Sequence, residues 1–356
     1  MRYRLLGRTG LRVSEIFLGA MSFAEAEGSR RVLDAYADAG GNVVDTASAY
    51  GESESVVGEL LRGRRDRFVL ATKYTLSRDA SDPNGAGNHR KNLRLSLERS
   101  LRRLETDHVD LYWVHIWDRY TPLEETMRAL DDAVRAGKVL HVGISDTPAW
   151  VVARANTLAE WRDWTPFAGI QVPYNLLQRD AERELLPMAD ACGLTVAAWA
   201  PLARGVLSGR YSGPAPAPGG RVDPSALGER DHAVAAVVRE VAAEVGATPA
   251  QVALAWLTAR SPVVHPLVGA SSAAQLTENL GAVDVDLPEE ALLRPEGAAP
   301  FDVGFPGDFI AECEPSPFVF GDADMSLVRR PGGSLDRGRG QAAVVPPDPA
   351  SRSPHR

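Results

Sequence analysis

The sequence predicts an α/β protein built as a closed (β/α)8 TIM barrel, and three observations carry that expectation. Short apolar runs alternate about eight times with longer amphipathic ones, the rhythm of parallel strands joined by crossover helices. The runs are almost continuously apolar, as strands covered on both faces must be. No GxGxxG turn follows the first run, which argues against an open, doubly wound nucleotide-binding sheet.

The runs are Ile16–Gly19, Asn42–Asp45, Phe68–Thr72, Val109–His115, Val139–Ser145, Gly169–Val172, Leu194–Trp199 and Val263–Val268, most of them bounded downstream by Gly or a polar residue. Between them lie helical spacings. In Asn88–Leu104, residues Leu93, Leu97, Leu101 and Leu104 recur at helical intervals and form one apolar stripe. Pro122–Ala136 reads as a helix with Thr121 as its cap and Pro122 in its first turn; Thr248 and Pro249 open another in the same way. Ahead of the first strand, Tyr3–Val13 carries Gly7 and a Thr9-Gly10 turn and reads as a small hairpin plugging the barrel floor. Two segments break the rhythm. Ser212–Arg230, with Pro214, Pro216, Pro218, Gly219 and Gly220, is too rich in Pro and Gly for a regular element, and it follows the seventh strand, at the end where barrel loops carry function. Beyond Gly321 the chain turns to Arg, Pro, Gly and Ser, a composition that cannot build a core. The expected division is a barrel over 1–321 and a disordered tail over 322–356.

At 356 residues and 44% apolar, the chain has enough material for one large core. A net charge of −8 without a basic face argues against a nucleic-acid partner. Cys192 and Cys313 are far apart and in no metal-ligand spacing, so neither a disulfide framework nor a metal site is expected, and a reducing cytoplasm is. The opening Met1–Gly7 lacks the apolar run of a secretion signal, and no stretch approaches membrane-spanning length.

In such a barrel, function sits at the carboxyl ends of the strands. There the sequence places Asp45 after the second strand, Lys73 after the third, His115 at the end of the fourth, Ser145 and Asp146 after the fifth, Gln171 in the sixth and Trp199 at the end of the seventh. Tyr50 lies five residues past Asp45, ahead of a helix starting near Glu52. Each residue alone has an ordinary reading: a helix-capping Asp, a solvated Lys, a hydrogen-bonded core His. Their combination at equivalent strand ends points to a site. A tyrosine with a pKa of about 10 is a weak acid near neutrality, and a nearby ammonium lowers that value toward the working range. Asp45 would hold Lys73 charged and in place, while neutral His115 would donate a hydrogen bond to a substrate oxygen. The set suits carbonyl reduction with an external hydride, because no side chain supplies one.

These residues resemble the aldo-keto reductases. Asn42–Gly51 is similar to the family's first signature, Ala71-Thr72-Lys73 to its lysine strand, Val109–His115 to its histidine strand and Gly137–Ser145 to its fifth-strand signature. The likeness runs from Tyr3 to about Leu287 and continues more weakly to Gly321. It implies NADP(H) as cofactor in preference to NAD(H), and a small carbonyl compound as substrate. It also implies that Ser145 and Gln171 hold the nicotinamide carboxamide and that Trp199 stacks on the ring. The loop Trp199–Arg210, with Pro201, Leu202, Gly205 and Arg210, would wrap the pyrophosphate, most like potassium-channel β subunits and their bacterial relatives. Gly269, Ser271, Gln275, Glu278 and Asn279 would surround the adenosine 2′-phosphate at a helix N-terminus, a place that suits phosphate in any fold. Met21 completes the expected cofactor contacts. Two departures stand out: Asp146 replaces the asparagine usual beside the serine, and Ser271 stands where many members place an arginine, leaving Arg210 and Arg204 as basic candidates.

The expected catalytic set is therefore Asp45, Tyr50, Lys73 and His115, with Tyr50, His115 and Trp117 meeting substrate and with Phe23 and Tyr74 adding to an apolar wall. Two other functions compete. A nucleotide-binding regulatory subunit with little turnover keeps the same four residues. A metal-dependent hydrolase using Asp45 and His115 lacks the clustered ligands that such a site needs.

Overall fold

The computed structural model describes residues 1–211, 222–314, Ser316, Val319 and Gly321. Among them the chain forms, in order, β1 (Tyr3–Leu5), β2 (Arg12–Ser14), β3 (Phe17–Gly19), α1 (Ala26–Asp38), β4 (Val43–Asp45), α2 (Ser53–Leu61), β5 (Val69–Tyr74), α3 (Arg90–Arg103), β6 (Val109–Val114), α4 (Leu123–Arg135), β7 (Val139–Ser145), α5 (Ala149–Arg162), β8 (Phe167–Pro173), α6 (Leu185–Cys192), β9 (Thr195–Trp199), α7 (Glu229–Val245), α8 (Pro249–Arg260), β10 (Val264–Val268), α9 (Ala273–Leu280), α10 (Glu289–Ala298) and α11 (Gly307–Cys313). Strands β3 to β10 close into a parallel barrel in which β10 pairs with both β3 and β9.

Strand alternation sorts the core into two layers. Phe17, Val43, Val69, Ala71, Leu111, Trp113 and Ala197 fill the barrel interior. Their neighbours Leu18, Val44, Leu70, Tyr112, Ile144, Ile170 and Val196 face outward and pack under the helices. Trp113 is the bulkiest interior side chain, and Gly143 makes room for it: a Cβ there would lie 2.3 Å from the indole. Leu6 and Val13 of the amino-terminal hairpin join the interior cluster and are fully buried. The hairpin approaches the floor so closely that a Cβ on Gly7, at φ 52°, would sit 2.3 Å from the Ala168 carbonyl oxygen, while the Gly7 N–H donates to Thr195 Oγ1 at 2.8 Å.

The sequence expectations need several corrections. The third barrel strand runs two residues further than its apolar pattern indicates, so Lys73 lies inside β5 rather than after it. The fourth ends at Val114, leaving His115 as the first residue beyond it. Thr121 does not cap α4; Pro122 occupies the cap position and the Thr121 hydroxyl instead donates to Asp118 Oδ2 at 2.6 Å. Thr248 does cap α8, in a reciprocal box with Gln251. Of the expected loop 212–230, residues 212–221 lie outside the described residues. The remainder contains a 3₁₀ turn at Pro224–Ala226, and α7 has already begun at Glu229. The expected tail at 322–356 also lies outside the described residues. None of the described helices is long and apolar enough to cross a membrane.

Candidate active site

The barrel register assembles the site. Asp45 ends β4 directly opposite Ala71 of β5. Lys73, two residues on, shares the inward face of Ala71 and therefore rises beside Asp45. Its Nζ donates to both Asp45 carboxylate oxygens, at 2.6 Å to Oδ2, and to the Thr46 carbonyl at 2.8 Å. Both side chains are at most 2% exposed, so the pair is shielded from salt and solvent. From β8, Gln171 adds its amide, donating to Asp45 Oδ1 and Oδ2 at 3.3 and 3.4 Å. Burial raises the Asp45 carboxyl above its ordinary value, against the opposing pull of Lys73 and Gln171.

The loop after β4 presents the tyrosine. Its first residues continue alongside β5, with Thr46 N–H donating to Ala71 O at 2.9 Å and Ser48 N–H to Lys73 O at 3.1 Å. A turn then closes from Tyr50 N–H to Ala47 O at 3.0 Å, and the buried Ser53 hydroxyl ties the start of α2 to Ala20 O at 2.7 Å. Tyr50 is left partly exposed, with its ring centroid 5.0 Å from Lys73 Nζ and 5.7 Å from the His115 ring, which it meets edge-on at 82°.

Burial raises the Tyr50 pKa above its ordinary value; Lys73 pulls it down, while Asp45 and Asp146 push it further up. The net direction is opposite to the expected lowering, because burial of the phenol outweighs the pull of Lys73. His115 is driven down to about 3, by burial first and by Lys73 second, so it is neutral across the physiological range. Its Nδ1 is buried without a hydrogen-bond partner among the described residues.

His115 is set by neighbours that the sequence reading missed. Thr75 has φ 107°, a left-handed conformation unusual for a β-branched residue and worth about 1–3 kcal/mol of strain. Its hydroxyl accepts from the His115 N–H at 3.3 Å and donates to Asn88 Oδ1 at 2.8 Å. Asn88 in turn donates its amide to Ile116 O at 3.2 Å and its backbone N–H to Asp118 Oδ2 at 3.1 Å. A buried Asn between two strand ends carries no sequence signature beyond its polarity.

The neighbouring wall is closed by β7, β8 and β9. Ser145 pairs in register with Gln171, and its hydroxyl donates to the Gln171 carbonyl at 2.8 Å. Asp146, at φ 45°, donates its N–H to the same carbonyl at 3.2 Å and accepts the Trp199 indole N–H at 3.1 Å. Trp117 stands just beyond His115, edge-on to Trp150 at 5.9 Å, with the Arg119 guanidinium 5.8 Å from its ring centre. Tyr74 and Phe23 do not belong to this wall. Tyr74 is fully buried on the outward face of β5, stacked on Tyr112 at 5.3 Å, and Phe23 is sealed in the layer beneath the helices.

The other expected cofactor residues form a second group at the ends of β9, β10 and β3. The loop after Trp199 winds through left-handed backbone at Ala200, Ala203, Arg204 and Gly205, with Pro201 buried and Leu202, Gly205 and Arg210 partly so. Met21 is exposed after β3, and the Ser22 hydroxyl reaches Ala270 O at 3.5 Å, joining that loop to the segment after β10. Gly269 is exposed there. Gln275 Oε1 accepts from the Ser271 N–H at 2.9 Å and from its hydroxyl at 3.0 Å. Glu278 is exposed, whereas Asn279 is buried and its Nδ2 has no partner among the described residues. No group of three or more His, Cys, Asp or Glu side chains placed to hold a metal ion occurs among the described residues.

Residues 15–296 match the aldo/keto reductase family. The chain is 41% identical to a norsolorinic acid reductase of Emericella nidulans over 85% of its own length and 82% of the relative's. It is 37% identical to the norsolorinic acid reductase of Aspergillus flavus, covering 87% of this chain and 84% of that one. It is 36% identical to an aryl-alcohol dehydrogenase [NADP(+)] of Phanerodontia chrysosporium over 95% and 93% of the two chains. A family match over most of the barrel, with these relatives spanning nearly the whole chain, places the protein: it belongs to the aldo/keto reductase family.

Proposed function

We propose that the protein reversibly reduces an aldehyde or ketone to an alcohol, with NADP(H) as the hydride partner and Tyr50 as the proton donor. The observation that carries this reading is the buried Lys73 ammonium, held by Asp45 and set 5.0 Å from the Tyr50 ring, with neutral His115 edge-on to the same ring at 5.7 Å. A carbonyl oxygen placed between Tyr50 and His115 accepts a hydrogen bond from each. Tyr50 gives up its proton as the alkoxide develops, and the adjacent ammonium stabilises the phenolate left behind. Asp45, Gln171 and the Thr46 carbonyl keep Lys73 from turning away. Thr75 and Asn88 fix the backbone on which His115 stands.

The residues present fit a nicotinamide dinucleotide. The buried Asn279 Nδ2, without a partner among the described residues, and the Ser271–Gln275 turn suit the adenosine end, and the polar wall of Ser145, Asp146, Gln171 and Trp199 suits the nicotinamide end. When bound, the cofactor supplies the hydride. An NADP(+)-named relative at 36% identity supports the phosphorylated form. The names of the relatives, with Trp117 and Trp150 at the mouth, support an aromatic carbonyl compound as substrate.

The decisive experiment follows NADPH oxidation with a panel of aromatic aldehydes and ketones, with NADH in parallel. Wild-type protein turns over. Tyr50→Phe loses at least about 10²-fold in kcat while still binding NADPH. Near-normal turnover in Tyr50→Phe defeats the mechanism. Binding of NADPH without turnover on any activated aldehyde favours a regulatory nucleotide-binding role instead.

A further inference from the structure

We propose that Asp146 makes the site selective for cofactor redox state, its carboxylate favouring the oxidised, positively charged nicotinamide over the neutral reduced one. The inference rests on the nicotinamide reading above.

Two features of Asp146 have ordinary explanations. Its left-handed φ of 45° is a conformation that Asp and Asn tolerate better than most side chains. Its Oδ1 anchors the Trp199 indole at 3.1 Å, and its N–H is fixed on Gln171 O at 3.2 Å. An asparagine would meet both demands, because its amide oxygen accepts the same indole N–H. Neither the backbone nor the indole accounts for a carboxylate in preference to an amide. What remains is the charge.

That charge is not cancelled nearby. Asp146 is only partly exposed, and no Lys, Arg or His among the described residues forms an ion pair with it. Lys73 is within electrostatic reach but is already bonded to Asp45, and neutral His115 offers no cation. The wall therefore carries one net negative charge in a half-buried setting, where Coulomb interactions are stronger than in water. The hydride donor must come within about 3–3.5 Å of the carbonyl carbon, and the carbonyl oxygen lies on Tyr50. The ring is thus placed beside Tyr50, and Asp146 stands at the same mouth: its N–H is on Gln171 O at 3.2 Å, and the Gln171 amide reaches Asp45, which holds Lys73 5.0 Å from the Tyr50 ring. Only the oxidised ring bears a positive charge, so only that form gains from the carboxylate. Burial leaves the Asp146 pKa above its ordinary value, against the opposing pull of Trp199, Ser145 and Lys73, and a cationic ring beside it favours the ionised form. A tenfold preference for the oxidised form lowers the potential of the bound couple by about 30 mV. Reduced cofactor held there is the stronger hydride donor, and oxidised cofactor leaves more slowly.

The test is equilibrium binding on the full chain, independent of turnover. Dissociation constants for NADP+, NADPH, NAD+ and NADH are measured by calorimetry for wild type, Asp146→Asn and Asp146→Ser. The expected result is a rise of about 10-fold, equivalent to about 1.4 kcal/mol, in the ratio of oxidised to reduced dissociation constants for both neutral variants. Asparagine keeps the indole acceptor and serine removes the carboxylate altogether, so agreement between them assigns the shift to charge. A ratio within twofold of wild type in both variants overturns the inference and leaves the proposed function standing. Failure of wild type to bind any of the four dinucleotides overturns both.

Discussion

Two largely buried clusters of paired charges in this molecule serve opposite ends. At the mouth of the barrel, Lys73 and Asp45 form a pair surrounded by groups with capacity to spare: a partly exposed tyrosine, and, among the described residues, a neutral histidine with an unpartnered nitrogen and a carboxylate in no ion pair. Outside the barrel wall, Arg179, Glu182, Arg260 and Glu296 form a cluster closed on itself. Arg179 bonds Glu182 with two contacts of 2.8 Å, and Arg260 bonds Glu296 at 3.0 Å and Glu182 at 3.3 Å. Tyr174 and Trp256 donate to Glu182 and Glu296 at 2.9 Å each, and Phe301 lies against Arg179. Two positive and two negative charges cancel, and the cluster ties α10 to α8 and to the segment after β8. The difference teaches that burial and pairing alone do not single out a site. What distinguishes the pair at the mouth is neighbouring hydrogen-bonding capacity left for a ligand, the ground of the catalytic role proposed above.

The sharpest way to break the comparison is to remove one cation at the mouth. Lys73→Met should lower kcat by about 10³-fold, measured per folded molecule. Adding Tyr50→Phe should lower it little further, because the two groups act as one unit; multiplicative losses would separate them.

The outer cluster should respond in stability instead. Glu182→Ala strands Arg179 and Arg260 and should cost about 3 kcal/mol in denaturant unfolding, with kcat unchanged. Burial raises the Glu182 pKa, but Arg179, Arg260 and the Tyr174 hydroxyl outweigh it and leave it below its ordinary value. A carboxyl depressed on folding adds stability above its unfolded pKa of about 4.3. That stability is lost as pH falls through the lower folded value, and unfolding midpoints of the variant should lack this acid-side loss. A fall in kcat without a fall in stability would reverse the assignment of the two clusters.

The smallest expected effect is in pH profiles. On the proposed mechanism reduction needs Tyr50 protonated, and burial, by raising its pKa above the ordinary tyrosine value, favours that form. His115, lowered to about 3, stays neutral above that value. The kcat/KM for reduction should therefore be flat between about pH 5 and 9 as far as these groups are concerned, while alcohol oxidation, which needs the phenolate, should rise with pH. A reduction limb titrating near neutrality would show that bound substrate and cofactor lower Tyr50 after all.

Sequence alone determined the eight-strand rhythm, the amino-terminal hairpin and the convergence of Asp45, Tyr50, Lys73 and His115, because strand ends and local spacing are written in neighbouring residues. Parity along a strand was harder to read. The apolar pattern ends β5 at Thr72 and so leaves Tyr74 free for the substrate wall, whereas the strand continues through it, and one residue past the inward Lys73 it points outward. Tertiary structure alone decided that Gln171 spends its amide on Asp45, 126 positions away, and that Asp146 holds an indole 53 positions on. It alone decided that the closed cluster beneath α10 exists at all. These contacts depend on barrel closure and register, which bring distant strands side by side. The balance that raises Tyr50 is likewise a property of the assembled mouth, where burial of the phenol outweighs the nearby ammonium.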